Sequence, residues 1–242
     1  MDDINVFWIT VIVIAALLGL ILVYRKLAKS RTIQKNEMAI NSICPRARIL
    51  VNTDQYVFFV DDEMCTFGFD ISGHMYRWTG IKAVFSSSNS IRLTHEDIPQ
   101  DVEFGFYSQR MKPLSYSEVK AIEKEALVYV RKKLNIALQE RGVIPTHEYL
   151  HEGTIWGCDI NSKQFYTTYS RAEVFDFADL MEVTIEDVSL NKNYGSKYII
   201  HARVDDKLFP EGFEYDIYFD EKNALFYDLL SMFKGIRARQ KR

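Results

Sequence analysis

Residues 147–151 read His147-Glu148-Tyr149-Leu150-His151. On an α-helix, residues four apart share a face. Two imidazoles at that spacing can hold one zinc ion while the glutamate between them activates a water. His147 and His151 would be the ligands and Glu148 the base of a hydrolytic reaction. That chemistry needs an uninterrupted helix, and the neighbouring residues oppose one. Pro145 stands two residues before His147, and Gly153 two after His151. Both residues punctuate helices. The sequence downstream reads as strands, which leaves no second helix to supply a third ligand. The context favours a turn with exposed histidines.

These five residues resemble the zinc-metalloprotease signature, and the resemblance implies a membrane-tethered zinc hydrolase as the alternative function. Glu152 departs from that pattern, in which an uncharged residue is usual at this place. Other candidate residues carry less. His74, His95 and His201 have no Cys or carboxylate at ligand spacing and read as satisfied or solvent-facing. Asp61-Asp62-Glu63 lacks the spaced oxygens and glycine of a calcium loop and reads as a charged hairpin tip, as does Asp205-Asp206. No phosphate-binding glycine loop, dinucleotide fingerprint or nucleophile elbow occurs. Cys44, Cys65 and Cys158 are far apart, with no C-x-x-C pair, and read as unreactive thiols. No catalytic residue, resident metal or cofactor is expected.

The elements that would position these residues start with an uncharged run from Ile4 to Tyr24. At about 1.5 Å per residue a helix of that length can cross a hydrocarbon core of roughly 30 Å. Trp8 and Tyr24 suit the two interfaces. Asp2 and Asp3 precede the run, while Arg25, Lys26, Lys29, Arg31 and Lys35 follow it. This bias predicts a single-pass protein of the inner (plasma) membrane with its N-terminus outside and the bulk of the chain in the cytoplasm. The same five cations form a candidate membrane surface, and anionic lipid is a candidate ligand for them. The basic linker is placed at 25–48, and Pro45 predicts a helix stop at Cys44.

The 242-residue chain carries a net charge of −3 and has no strongly basic domain, so nucleic acid is not an expected partner. Beyond the linker, two stretches of similar order are legible. In the first, 49–142, short alternating strands lead to a helix opened by Ser115 and Glu118 as a capping box. Val119, Ile122, Ala126, Val130 and Leu134 form its apolar stripe, and Gly142 its stop. A linker at 143–154 precedes the second, 155–242. There Phe175–Val183 aligns with Tyr76–Val84 without a gap. A closing helix runs from about Glu221 and leads to the basic tail Arg237, Arg239, Lys241 and Arg242.

The predicted fold class is α+β: an N-terminal transmembrane helix followed by two antiparallel-sheet units, each closed by a C-terminal helix. The strand order and the pair Ile81-Lys82-Ala83-Val84 and Leu180-Met181-Glu182-Val183 resemble bacterial pleckstrin-homology-like proteins. That resemblance implies a barrel plugged by its helix. The expected function is a membrane-anchored binding module, an adaptor or scaffold for a protein partner or a lipid headgroup. Sheet edges, or the groove between strand and helix, are the expected contact surface.

Overall fold

The computed structural model describes residues 2–72, 74–104, 113–188, 197–206 and 209–231, with side chains omitted at 1–13 and 206–212. Two compact units divide the chain, Met1–Arg77 and Trp78–Arg242.

In the first unit, α1 (Asp2–Ile43) precedes a four-stranded antiparallel meander of β1 (Arg48–Asn52), β2 (Val57–Asp61), β3 (Thr66–Gly68) and β4 (Tyr76–Arg77). The C-terminal turns of α1 dock on this sheet. Ile40 and Cys44 pack with Val57 and Phe59. Asn52 Nδ2 donates to the Ile33 carbonyl at 3.2 Å. The helix stops at Ile43, because Pro45 restricts the residue before it.

In the second unit, β5 (Ile81–Ser86), β6 (Ile91–His95) and β7 (Val102–Phe104) form one meander, followed by α2 (Tyr116–Glu140). A four-stranded sheet follows: β8 (His147–His151), β9 (Thr154–Asp159), β10 (Gln164–Thr167) and β11 (Glu173–Asp176). The last sheet holds β12 (Leu180–Asp187), β13 (Tyr198–Asp206) and β14 (Phe209–Phe219). A third helix, α3, covers 224–231. Asn223 caps it, its Oδ1 accepting from the Phe226 amide at 3.0 Å. Trp156, Cys158, Phe165, Ile200, Tyr215 and Leu229 share one core; Leu134, Leu138, Ile155 and Tyr166 form a second beneath α2.

Along the chain, the order of a four-strand meander, a 3-10 turn, a three-strand meander and a helix occurs twice. The gapless pair of segments falls on matching elements, strand, 3-10 turn and strand in each case. Two hairpin turns also match. Asp61 accepts from the amides of Glu63 and Met64, and Asp159 from those of Asn161 and Ser162. Cys65 and Lys163, each four residues on, take positive φ of 52° and 56°.

Several expectations are corrected here. Among the described residues no helix is long and apolar enough to cross a membrane. Residues 4–13 of the expected span lie outside the described side chains. The transmembrane helix and the single-pass inner-membrane placement that depended on it are therefore withdrawn. The strands form four antiparallel sheets rather than one per unit, and the fold is not a clear pleckstrin-homology-like one. The segment expected as a linker, 143–154, carries β8 and its turn. The tail Arg237, Arg239, Lys241 and Arg242 lies outside the described residues.

Candidate functional site

His147–His151 is a strand because a two-residue turn follows it. Glu152 and Gly153 take φ of 48° and 81°, the left-handed pair of a type I′ hairpin turn. His151 thereby faces Thr154, and the register carries back to set His147 opposite Cys158. A side chain at Gly153 would also run into the Val84 carbonyl oxygen, 2.9 Å from an added Cβ.

On a strand the two histidines stand about 13 Å apart, since each residue advances about 3.3 Å. One ion cannot reach both. Side chains alternate, so Glu148 faces the other way from either histidine. Its carboxylate takes both guanidinium nitrogens of Arg131 from α2. It also accepts from the Tyr166 hydroxyl at 3.2 Å. Burial, reinforced by the Glu148 charge, pushes the Tyr166 phenol above its ordinary value. Glu148 therefore belongs to a fork that ties α2 to the sheet. His151 stacks on Tyr149, with ring centroids 5.7 Å apart, and lies 6.3 Å from the Tyr218 ring. The three residues of the metalloprotease-like motif thus go to three separate settings.

His147 has other company. Its Nδ1 lies against Asp228 Oδ2 from α3. The Cys158 sulfur lies on the same side, and the donor atoms of the three residues are all within 4.8 Å of one another. Both Nδ1 and Oδ2 are shielded from solvent, and neither makes a hydrogen bond. Burial, followed by the negative charge of Asp228, pushes the Cys158 thiol up to about 12. Cys158 and Asp228 escaped the sequence reading. The usable signal was the Glu152-Gly153 turn, which fixes the 147/158 pairing.

A second cluster joins His201 on β13 to Asp216 on β14 and Glu186 on β12. Its Nδ1 lies 2.7 Å from Asp216 Oδ1 and its Nε2 lies 3.3 Å from Glu186 Oε2. Glu214 lies nearby. Burial disfavours the imidazolium, but the Asp216 and Glu186 carboxylates outweigh it and raise the His201 pKa. Each ring nitrogen thus faces a carboxylate, which favours the doubly protonated ring, a form with no lone pair for a metal. The sequence reading of an isolated His201 is corrected, since cross-strand register brings its carboxylates from distant positions. His95 is buried, and its Nδ1 accepts from the Asp97 amide at 3.1 Å. His74 is exposed and lies 3.2 Å from the Ser72 hydroxyl.

The candidate membrane-surface residues Arg25, Lys26, Lys29, Arg31 and Lys35 are all exposed along α1. Lys29 pairs with Asp54 at 3.6 Å. Asp62 pairs with Arg48 and Glu63 with Arg46, so the acidic hairpin tip is neutralised by β1 and the turn before it.

The other prominent surface is strand β12, the outer strand in the order β12-β13-β14. It is exposed on both faces from Glu182 to Asp187, apart from the half-buried Val183. Met181 and Ile185 retain 46% and 43% exposure. Glu182, Glu186 and Asp187 make the strand acidic. No family model matches the chain, and neither does any curated protein or solved structure.

Proposed function

We propose that this chain is a protein-binding module, an adaptor or scaffold, that takes an extended segment of its partner as an added strand along β12. The observation that supports the reading is an eight-residue outer strand with exposed apolar side chains, Met181 and Ile185, among acidic ones. Proteins generally shorten, cover or charge such edges to prevent unwanted pairing. Strand addition uses the backbone for affinity and alternate side chains for specificity. The acidic residues favour a partner segment in which lysine or arginine alternates with apolar residues. The motif at 147–151 lies on strand β8 and not on the helix that a metalloprotease-like site requires, which favours the binding reading.

Selection of extended peptides from a displayed random library against the full chain tests the reading. The expected winners carry basic residues at alternate positions. Their binding slows amide exchange along 180–187, and Ile185→Lys weakens them about tenfold or more, because it removes an apolar contact and sets a cation against the partner's basic residues. Winners that protect amides elsewhere, or that bind Ile185→Lys equally, would overturn it.

A further inference from the structure

His147, Cys158 and Asp228 come from β8, β9 and α3 and meet at one point. We propose that these three side chains form a binding site for a zinc-class divalent ion, which fastens α3 to the hairpin β8–β9. The site is independent of the β12 reading.

The donor chemistry is selective. Imidazole nitrogen, thiolate sulfur and carboxylate oxygen together suit zinc, whereas calcium and magnesium prefer oxygen alone. The placement is also suitable. His147 and Cys158 are directly opposed in the hairpin register, so their side chains emerge on one face. Bonds of about 2.0–2.3 Å to a tetrahedral ion place ligand atoms about 3.3–3.8 Å apart. The three donor atoms lie within 4.8 Å of one another, so small side-chain movements suffice.

The contact between His147 Nδ1 and Asp228 Oδ2 is close but poorly aligned as a hydrogen bond, although both atoms are shielded from solvent. Buried polar atoms nearly always have well-formed hydrogen bonds. An ion that draws these two atoms apart would give each a directed partner. The His201 cluster offers no such opening, because its nitrogens already face Asp216 and Glu186.

Binding balances simply. The Nδ1 lone pair of His147 coordinates, with the ring proton on Nε2. A carboxylate oxygen of Asp228 coordinates. The Cys158 S–H bond breaks, its proton leaves to solvent, and a sulfur–metal bond forms. Water fills a fourth position. The side chains of His147 and Asp228 are 37% and 23% exposed, which leaves an entry path.

The test strips the full chain with chelator, then titrates it with zinc chloride and, separately, cobalt chloride. The expected result is about one ion per chain, a higher melting temperature with zinc, and a cobalt spectrum with a thiolate charge-transfer band. Asp228→Asn and Cys158→Ala should each weaken binding about tenfold or more. His151→Ala and Glu148→Gln should leave it unchanged. Asp228→Asn alters a partly exposed position, so its circular dichroism checks that the fold is intact. Three results would each overturn the proposal: no stoichiometric zinc, cobalt bound without the thiolate band, or undiminished affinity in a folded Asp228→Asn chain.

Discussion

At the scale of single residues, register decides chemistry more than residue identity does. His201 has no acidic neighbour in sequence, yet Asp216 and Glu186 reach both its nitrogens across the sheet. Glu214 is the further acidic group beside it. Its raised pKa makes a signed prediction. A histidine whose folded pKa exceeds the unfolded value of about 6.5 stabilises the fold fully below that pH and loses this contribution as pH rises through the folded pKa. The His201→Gln variant should therefore fall furthest below the parent chain near about pH 5.5, where the carboxylates remain ionised. By about pH 9 the gap should have closed. Urea midpoints at both pH values measure it, and a gap that widens with pH contradicts the assignment. The effect is small, because the pairs are partly exposed and screened.

At the scale of elements, α2 was legible and β8 was not, for definable reasons. Ser115 and Glu118 state a helix start locally, and both halves of the capping box form. Glu118 Oε2 accepts from the Ser115 amide at 2.7 Å, and Ser115 Oγ accepts from the Glu118 amide at 3.3 Å. The stripe from Val119 to Leu134 is buried at each position read from the 3.6-residue period. Gly142, at φ 65°, follows the end of the helix. Strand β8 gives no such local signal. Its side chains alternate half-buried and exposed, with histidine and tyrosine on one face and glutamate and leucine on the other, so no apolar period emerges. Only the Glu152-Gly153 turn and pairing with β9 define it. Loss of the cap should be measurable. Ser115→Ala removes the acceptor for the Glu118 amide and should cost about 1 kcal/mol. Ser115→Asp keeps an acceptor there and should retain most of the stability. Chemical denaturation of the three chains separates these outcomes, and equal loss in both variants would mean that the cap is not what stabilises this end.

At the scale of the whole molecule, the sequence indicates strand-rich stretches ended by helices but not how strands distribute among sheets. Alternation within Ile91–Thr94 or Tyr198–Val204 identifies a strand, whereas its neighbours depend on turns and long-range packing. The run at Ile4–Tyr24 misled for a related reason. Hydropathy counts apolar residues in a window of sequence, whereas among the described residues no helix is long and apolar enough to cross a membrane. The cores support a sharper expectation for the second unit. Leu134, Leu138, Ile155 and Tyr166 close one core, and Trp156, Phe165, Tyr215 and Leu229 belong to the other, all within Trp78–Arg242. A fragment of 78–242 has the size of an ordinary domain and holds the described residues of both cores. It should unfold in one cooperative urea transition followed by circular dichroism. Leu134 is fully buried, so Leu134→Ala should leave a cavity and lower the stability of that fragment by about 2–5 kcal/mol. A fragment that melts without a cooperative transition would show that these cores need residues before Trp78. A cooperative fragment insensitive to Leu134→Ala would show instead that α2 does not close the core in solution.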